Sequence, residues 1–319
     1  MAKGLLSKLT KPFRGGGAAP EPAPEPAPEP VPAPKPAPPP PSPPKKNQVW
    51  PATRLNVVEK VWGEGYVTPG GAEQVKKLLP LLALDKKKSV LLLGPGLGGI
   101  NLTMVEETGV WITGLERDRE LAELGHVSMR RANLKRQAPV RYSTLENLEL
   151  KPRSFDAVLS FEGTEAVVDK KALFSAVCEG LRIEGELMFT ALVLPDTNPP
   201  NDQVKAWIAC EPKTATPSPW PVGAIQALLV SLNMDVRPVE DISLDYRRWV
   251  MTGFMNYLSN LSKAELLASA QDLMREAEYW TTRIRAIDSG GLKVVRFHAI
   301  KLQEQRKSVA ELMAKSEGP

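Results

Sequence analysis

One stretch of the sequence, Ser89 to Glu116, constrains the fold more than any other. Ser89 to Leu93 is a continuous aliphatic run that ends at a glycine, as expected of a central parallel strand buried on both faces. The glycine-rich loop Gly94-Pro-Gly96-Leu-Gly98-Gly99 follows, and a helical stretch covers 100–108. Trp111 to Leu115 is the next apolar run. This order of strand, glycine loop, helix and strand predicts a Rossmann-like nucleotide-binding unit.

The loop and the acid after it are suited to a nucleoside ligand. Glycines let the backbone turn sharply and let a ligand approach, because no Cβ stands in the way. Glu116 ends the second strand 22 residues after Gly94, a usual distance from such a loop to the acid that binds ribose hydroxyl groups. Gly94, Gly96 and Gly99 fit the dinucleotide pattern GxGxxG, whereas Gly94, Gly96 and Gly98 fit the methyltransferase pattern GxGxG. The loop alone therefore leaves two cofactors open.

The sequence after the loop resembles the class I S-adenosylmethionine-dependent methyltransferases. The phrases FDAVLS, LRIEGELMF and GLKVVRFHAIK resemble the fourth, fifth and last strands of that family. The predicted elements are strands at 140–142, 155–160, 186–192 and 292–302 and a helix at 169–181. The resemblance implies a Rossmann-like, doubly wound α/β sheet that is mostly parallel, with an antiparallel last strand and helices on both faces. It favours S-adenosylmethionine as the cofactor over NAD.

Two further stretches resemble the phosphoethanolamine (phosphobase) N-methyltransferases more narrowly. They are the segment VWGEGYVTPGG at 61–71 and the region from Tyr279-Trp280 to Lys301. This resemblance implies a small-molecule methyl acceptor, and an amine is the acceptor we favour. It also implies that Tyr66 lies over the cofactor as a catalytic residue.

The resemblance also implies a set of site residues. The expected cofactor-binding residues are Gly94, Gly96, Gly98, Glu116, Arg117, Thr144, Leu145, Ser160 and Phe161. Glu162 and Glu165 follow the fourth strand, at the sheet edge where open α/β sheets bind ligands, and are the candidate general bases. Of the two, Glu162 is the predicted catalytic residue, together with Tyr66.

The sequence also departs from the pattern of these families. Leu92 and Thr144 stand where acids are common, and no histidine occurs between Phe161 and Asp169. The expected arginine and tyrosine clamp for phosphate is not recognisable between Trp207 and Trp220. Leu92, the missing histidine and an anchor-like N-terminal segment favour an alternative, a catalytically degenerate methyltransferase fold that serves as a scaffold or assembly protein. An NAD-dependent oxidoreductase is the second alternative.

Other residues are weaker candidates. His126 falls on the helix after the second strand, and His298 falls in the last strand, which we expect at the edge of the fold. Cys178 and Cys210 are far apart and have no CxxC partner, so no metal site is predicted. The aromatic residues between the fifth and last strands are expected to belong to a lid over the acceptor: Trp207, Trp220, Tyr246 and Trp249.

The first 46 residues cannot build a core, since 16 of the 31 prolines lie between Pro12 and Pro44. We predict a basic amphipathic segment at 1–18, a disordered proline-rich linker at 19–46, a methyltransferase domain at 47–302 and a tail at 303–319. The net charge of +4 is too small to indicate nucleic acid. We expect a cytoplasmic protein, with segment 1–18 and the linker able to contact a membrane surface or a protein partner.

Deletion of residues 1–46 tests this organisation. The shortened protein should leave any membrane or complex fraction that the full chain occupies, because the predicted anchor and spacer are removed. Cell fractionation measures this, and the thermal unfolding temperature of the shortened protein serves as the control. Unchanged fractionation of a folded protein would contradict the prediction.

Overall fold

A computed structural model describes residues 49–211 and 216–303, and one mixed sheet organises this part of the chain. Its strands are β1 (Ser89–Leu93), β2 (Trp111–Glu116), β3 (Val140–Tyr142), β4 (Phe155–Phe161), β5 (Leu181–Val193), β6 (Met234–Val236), β7 (Glu240–Asp241) and β8 (Lys293–Lys301). The strand order is β3-β2-β1-β4-β5-β8-β6, with β7 also paired to β8. Strands β1 to β5 pair in parallel, and β8 is antiparallel to β5. The predicted doubly wound sheet is therefore confirmed.

Helices cover both faces of the sheet, as the sequence predicts. The helices of the described residues are α1 (Ala52–Trp62), α2 (Gly71–Leu78), α3 (Gly99–Thr108), α4 (Arg119–Arg131), α5 (Lys170–Gly180), α6 (Asp202–Cys210), α7 (Val222–Ser231), α8 (Ser243–Ser259) and α9 (Lys263–Asp288). One buried apolar cluster contains side chains of α1, α2, α8 and α9, and a second contains side chains of α5 and α7.

Strand β1 lies between these two clusters and contributes to both. Val90 and Leu92 belong to the first cluster, whereas Leu91 and Leu93 belong to the second. This alternation follows from the two-residue period of a strand. Leu92 is fully buried, so the position where the family commonly has an acid is part of the core here.

The structure corrects several boundaries. The spacing of apolar residues predicts one helix at 72–84, whereas α2 ends at Leu78 and continues as a 3-10 turn, Leu79–Leu81, which contains Pro80. The sequence predicts a turn at 182–185 before a strand at 186–192. Strand β5 instead begins at Leu181 and contains an irregularity in its pairing with β4, with Glu184 at φ +61°. The short strands β6 and β7 were not predicted. They flank β8, so the expectation that His298 lies at the edge of the fold was wrong.

Several predictions fall on residues that the structure does not describe. They are the amphipathic segment at 1–18, the linker at 19–46 and nearly all of the tail at 303–319. These stay predictions. In the described ranges, none of the helices combines the length and the apolar character that crossing a bilayer would require.

Replacement of Phe297 by alanine tests the packing between β5 and β8. Phe297 is fully buried and its ring stacks on that of Phe189, with centroids 4.7 Å apart. Loss of this ring should lower the free energy of unfolding by about 3–5 kcal/mol. Urea denaturation measures the change.

Leu244→Ala is the control for this variant. The side chain of Leu244 is 83% exposed, so its replacement should change the free energy of unfolding by less than about 0.5 kcal/mol. Equal effects of the two replacements would contradict the assignment of Phe297 to the core.

Candidate active site

The glycine loop after β1 has a conformation that only glycine adopts without strain. Gly94, Gly96 and Gly98 have φ values of +74°, +58° and +95°. A Cβ on Gly94 would lie 2.9 Å from Cα of Gly163, in the loop after β4, and one on Gly96 would lie 2.9 Å from Cγ2 of Val67. The loop is therefore held tightly between two neighbouring segments, and a larger residue at either position would displace them.

The start of α3 is covered by the turn that follows α1. The amide of Gly99 donates to the carbonyl of Gly65 at 2.9 Å, and a Cβ on Gly99 would lie 2.7 Å from that oxygen. A dinucleotide of the Rossmann type places its pyrophosphate on this helix N-terminus. Because protein occupies that position, the geometry disfavours the nicotinamide alternative.

Tyr66 belongs to this covering turn and not to the wall of a cavity. Its hydroxyl donates to the carbonyl of Gly99 at 3.0 Å and shares a hydrogen bond with Oγ1 of Thr103 at 2.6 Å. Its side chain is buried, which raises the pKa of the phenol. These contacts make Tyr66 a residue that fixes the turn on α3, and the geometry gives no support to its predicted catalytic role.

Glu116 lies at the carboxyl end of β2, where the sequence predicts the ribose-binding acid. One carboxylate oxygen accepts from the amide of Gly96 at 2.8 Å, and the other accepts from the amide of Asp118 at 2.9 Å. Burial raises the pKa of Glu116, and the two amide hydrogen bonds oppose that rise. A carboxylate has about four acceptor positions, so two remain for hydroxyl groups of a ligand.

A cavity of about 170 Å³ opens beside Gly94 and Glu116. Of the predicted site residues, those on its wall are Gly94, Glu116, Arg117, Phe161, Glu162 and Glu165. The other lining residues are Trp50, Val67, Thr68, Asp118, Leu121, Gly163, Ala166, Leu192, Glu211, Pro217 and Arg283. The cavity thus lies at the carboxyl ends of β1, β2, β4 and β5, where open α/β sheets bind ligands.

The remaining predicted cofactor residues lie outside this wall. Gly96 and Gly98 shape the loop, and Oγ of Ser160 accepts from the amide of Gly163 at 3.1 Å. Leu145 is fully buried at φ +63°, and Thr144 is exposed. Their predicted contacts with the cofactor stay predictions.

Glu162 is on the cavity wall, but its carboxylate is already engaged. Its backbone is left-handed, at φ +59°, which is uncommon for a residue other than glycine. Oε2 of Glu162 accepts from Arg283 Nη1 at 2.6 Å and from the Tyr246 hydroxyl at 3.1 Å. The other guanidinium nitrogen of Arg283 donates to Glu211 Oε1 at 2.5 Å and to the hydroxyl of Tyr279. A carboxylate in this buried network is poorly placed to act as the predicted general base.

Sequence reasoning did not find Arg283, Glu211 or Tyr279. The sequence of α9 contains a pattern that could have indicated Tyr279 and Arg283. Four residues of α9 follow each other at helical spacing and are all buried: Glu276, Tyr279, Trp280 and Arg283. Charged residues on the buried face of a helix require partners, so this spacing could have indicated a polar site.

Neither the histidines nor the four predicted lid aromatics are among the residues that line the cavity. His126 is exposed on α4, and Nε2 of His298 lies 2.7 Å from Glu186, near the beginning of β5. Trp207 is fully buried and donates to Glu211 at 2.7 Å. Tyr246 supports Glu162 as described above. The other two lid candidates, Trp220 and Trp249, are not among the lining residues.

The strand order, with the cavity beside the glycine loop, is that of the class I S-adenosylmethionine-dependent methyltransferase fold. A sequence profile of the mycolic acid cyclopropane synthetase family matches residues 70–297, and the chain belongs to this family. The resemblance predicted from the sequence is confirmed.

Three similar proteins support the assignment. Phosphoethanolamine N-methyltransferase 3 of Arabidopsis thaliana is 28% identical over 132 residues, which are 41% of this chain and 26% of that protein. Phosphoethanolamine N-methyltransferase 2 of Haemonchus contortus, solved with S-adenosyl-L-methionine, has a TM-score of 0.63 at 17% identity and matches over 78% of this chain and 57% of that chain. Geranyl diphosphate C-methyltransferase of Streptomyces coelicolor A3(2) has a TM-score of 0.56 at 15% identity, over 72% and 77% of the two chains. The matched part of this chain spans about a quarter of the length of the Arabidopsis relative, and the two structures show a shared fold.

Arg283→Met tests the buried network. The variant leaves Glu162 and Glu211 without their guanidinium partner, which should cost about 3–5 kcal/mol of stability. Loss of the cation removes an effect that lowers the pKa of Glu162, which burial already raises. The folded variant then binds more protons than the unfolded chain, so its stability should fall as the pH rises above 4.5, the ordinary pKa of a glutamate. Denaturation at several pH values measures this.

Arg247→Met is the control for the network variant. Arg247 pairs with Asp288, but both side chains are about half exposed, at 48% and 49%. Loss of this surface pair should cost less than about 1 kcal/mol. A similar cost for both variants, or a cost that does not depend on pH for Arg283→Met, would contradict the proposed role of the buried network.

Proposed function

We propose that this chain binds S-adenosylmethionine and transfers its methyl group to a small amine. The observation that carries the proposal is the cavity beside Gly94 and Glu116, whose wall is rich in carboxylates. The bound sulfonium supplies an electrophilic methyl group. The protein has to hold the acceptor nitrogen in line with that group and to exclude water.

The residues around the loop fit this cofactor. Glu116 has acceptor positions left for the two ribose hydroxyl groups, and glycine at 94 leaves room for close approach of a ligand. Phe161 and Arg117 also line the cavity. We propose that the adenine ring of the cofactor contacts the backbone near Leu145. The covered N-terminus of α3 suits a cofactor without phosphate.

The charge of the wall suits positively charged ligands. Five lining residues carry carboxylates, whereas two carry guanidinium groups. One of these cations, Arg117, pairs with Glu146 at 2.8 Å. A sulfonium and an ammonium group are both stabilised by such a surplus of negative charge.

A scaffold role is the second candidate, and Leu92 is the observation that favours it. The core leucine replaces an acid that is common in the family, so one polar contact near the cofactor is missing. This candidate predicts that the chain binds the cofactor but methylates no acceptor.

Titration with S-adenosylmethionine tests the proposed cofactor site. The wild type should bind it, and Glu116→Ala should weaken binding by about 10- to 100-fold, because hydrogen bonds to a charged partner contribute about 1.5–3 kcal/mol. Calorimetry measures the affinity.

Glu123→Ala, an exposed position on the neighbouring helix α4, is the matched control and should bind like the wild type. Glu116→Gln shows whether the charge or the hydrogen bonds matter more. Absence of binding by the folded wild type would reject the proposed function, and binding of NAD instead would favour an oxidoreductase.

A further inference from the structure

We infer that the methyl acceptor is a small cationic amine without a phosphate group, and that the carboxylate of Glu165 receives its proton. The inference rests on the proposed function and names the substrate class of the same cavity. It differs from the acceptor that the names of the relatives suggest, which is a phosphorylated amine.

Among the described residues, two guanidinium groups lie on the cavity wall, those of Arg117 and Arg283. The guanidinium group of Arg283 is not available to a phosphate. Both terminal nitrogens of Arg283 are bonded to carboxylates, one to Glu162 at 2.6 Å and one to Glu211 at 2.5 Å. These two negative charges outweigh the single positive charge of the guanidinium. A phosphate at this place would bring further negative charge against two buried carboxylates, and like charges at this distance in a poorly solvated site repel strongly.

One hydrogen-bond donor of Arg283 is without a partner among the described residues. The side chain of Arg283 is more than nine-tenths buried and lies on the cavity wall, and its Nε has no hydrogen-bond partner among the described residues. A buried donor without a partner is costly, so a ligand oxygen that accepts from it would be favoured. A neutral oxygen, such as the hydroxyl of an amino alcohol, satisfies the donor without adding negative charge.

Glu165 is the carboxylate of this wall that is least engaged by the protein. Its side chain is 8% exposed, and its Oε1 accepts from the amide of Leu192 at a long 3.3 Å. The nearby ammonium of Lys170 does not bond this carboxylate, because it donates to three backbone carbonyl groups of the loop at 2.8–3.3 Å. The carboxylate therefore keeps acceptor positions for a cationic ligand.

The surroundings of Glu165 suit it to take up a proton near neutral pH. The charged groups that face it are the Glu162 carboxylate of the same loop, the Lys170 ammonium of α5 and the Arg283 guanidinium of α9. Burial and the neighbouring Glu162 carboxylate raise the pKa of Glu165 to about 7, and the two cations oppose the rise. A base with such a pKa matches the pH at which it operates.

The step balances with these groups alone. The ammonium form of the acceptor gives one proton to Glu165 and becomes a neutral amine. The nitrogen lone pair then forms the new N–C bond to the sulfonium methyl group, and the electrons of the broken C–S bond remain on sulfur. The products are an N-methylammonium cation, the thioether S-adenosylhomocysteine and the protonated carboxyl group of Glu165, which returns its proton to water before the next turnover.

Matched pairs of acceptors test the substrate class. Ethanolamine, N-methylethanolamine and propanolamine are each compared with their phosphate esters, using S-adenosylmethionine with a labelled methyl group. For at least one pair the unphosphorylated amine should be methylated with kcat/KM at least tenfold higher than its ester. Equal or better methylation of the esters would overturn the inference and leave the proposed function standing. Cofactor binding with no methylation of any of the six compounds would reject amine transfer itself, and the inference with it.

The variant Glu165→Gln tests whether Glu165 accepts the proton. Its kinetics are measured with the amine of the panel that the wild type methylates fastest. In the wild type, kcat/KM should rise with pH around 7, as the carboxylate of Glu165 ionises. Glu165→Gln should lose this rise and about 100-fold in kcat, whereas Glu165→Asp should recover part of the rate and the pH dependence. The thermal unfolding temperature of each variant, compared with that of the wild type, shows whether the variants are folded. A variant Glu165→Gln that keeps the rate and the pH profile would overturn the role of Glu165.

Discussion

The buried guanidinium of Arg283 joins more parts of the molecule than any other side chain described. It lies on α9 and binds Glu162 after β4, Glu211 after α6 and Tyr246 on α8. Charges that are removed from water are stable only with partners of opposite sign, so these segments must pack together for any of them to be buried. The arrangement of the cavity wall therefore depends on one cation and two carboxylates.

The same network divides the acids of the cavity into two kinds. Glu162 and Glu211 compensate a buried cation and are fixed in place, whereas Glu165 and Glu116 keep acceptor positions that face the cavity. A count of acids along the sequence cannot make this distinction, because it depends on a partner more than 100 residues away. Burial and partners, rather than the residue type, decide which carboxylate can exchange a proton.

Most of the fold could be predicted from the sequence, because strands β1, β2 and β4 are aliphatic runs with glycine or turn residues beside them. The start of β5 was misjudged because Glu184 forms a bulge where a turn was expected. For the site, Gly94 and Glu116 were predictable from their spacing. Tyr66 was assigned from resemblance, and its hydroxyl bonds to α3 instead. Arg283 was missed because its partners come from distant segments.

The segment that precedes the family match also contributes to the cavity. The match begins at residue 70, yet Trp50, Val67 and Thr68 lie on the cavity wall, and Gly65 covers the start of α3. The family match thus begins about twenty residues after Trp50, the first residue of the cavity wall. A fusion point placed just before residue 70 would keep every strand of the described sheet but remove Trp50, Val67 and Thr68 from the cavity wall. The matched region alone therefore forms an incomplete cavity wall, and the segments on either side of α1 complete it.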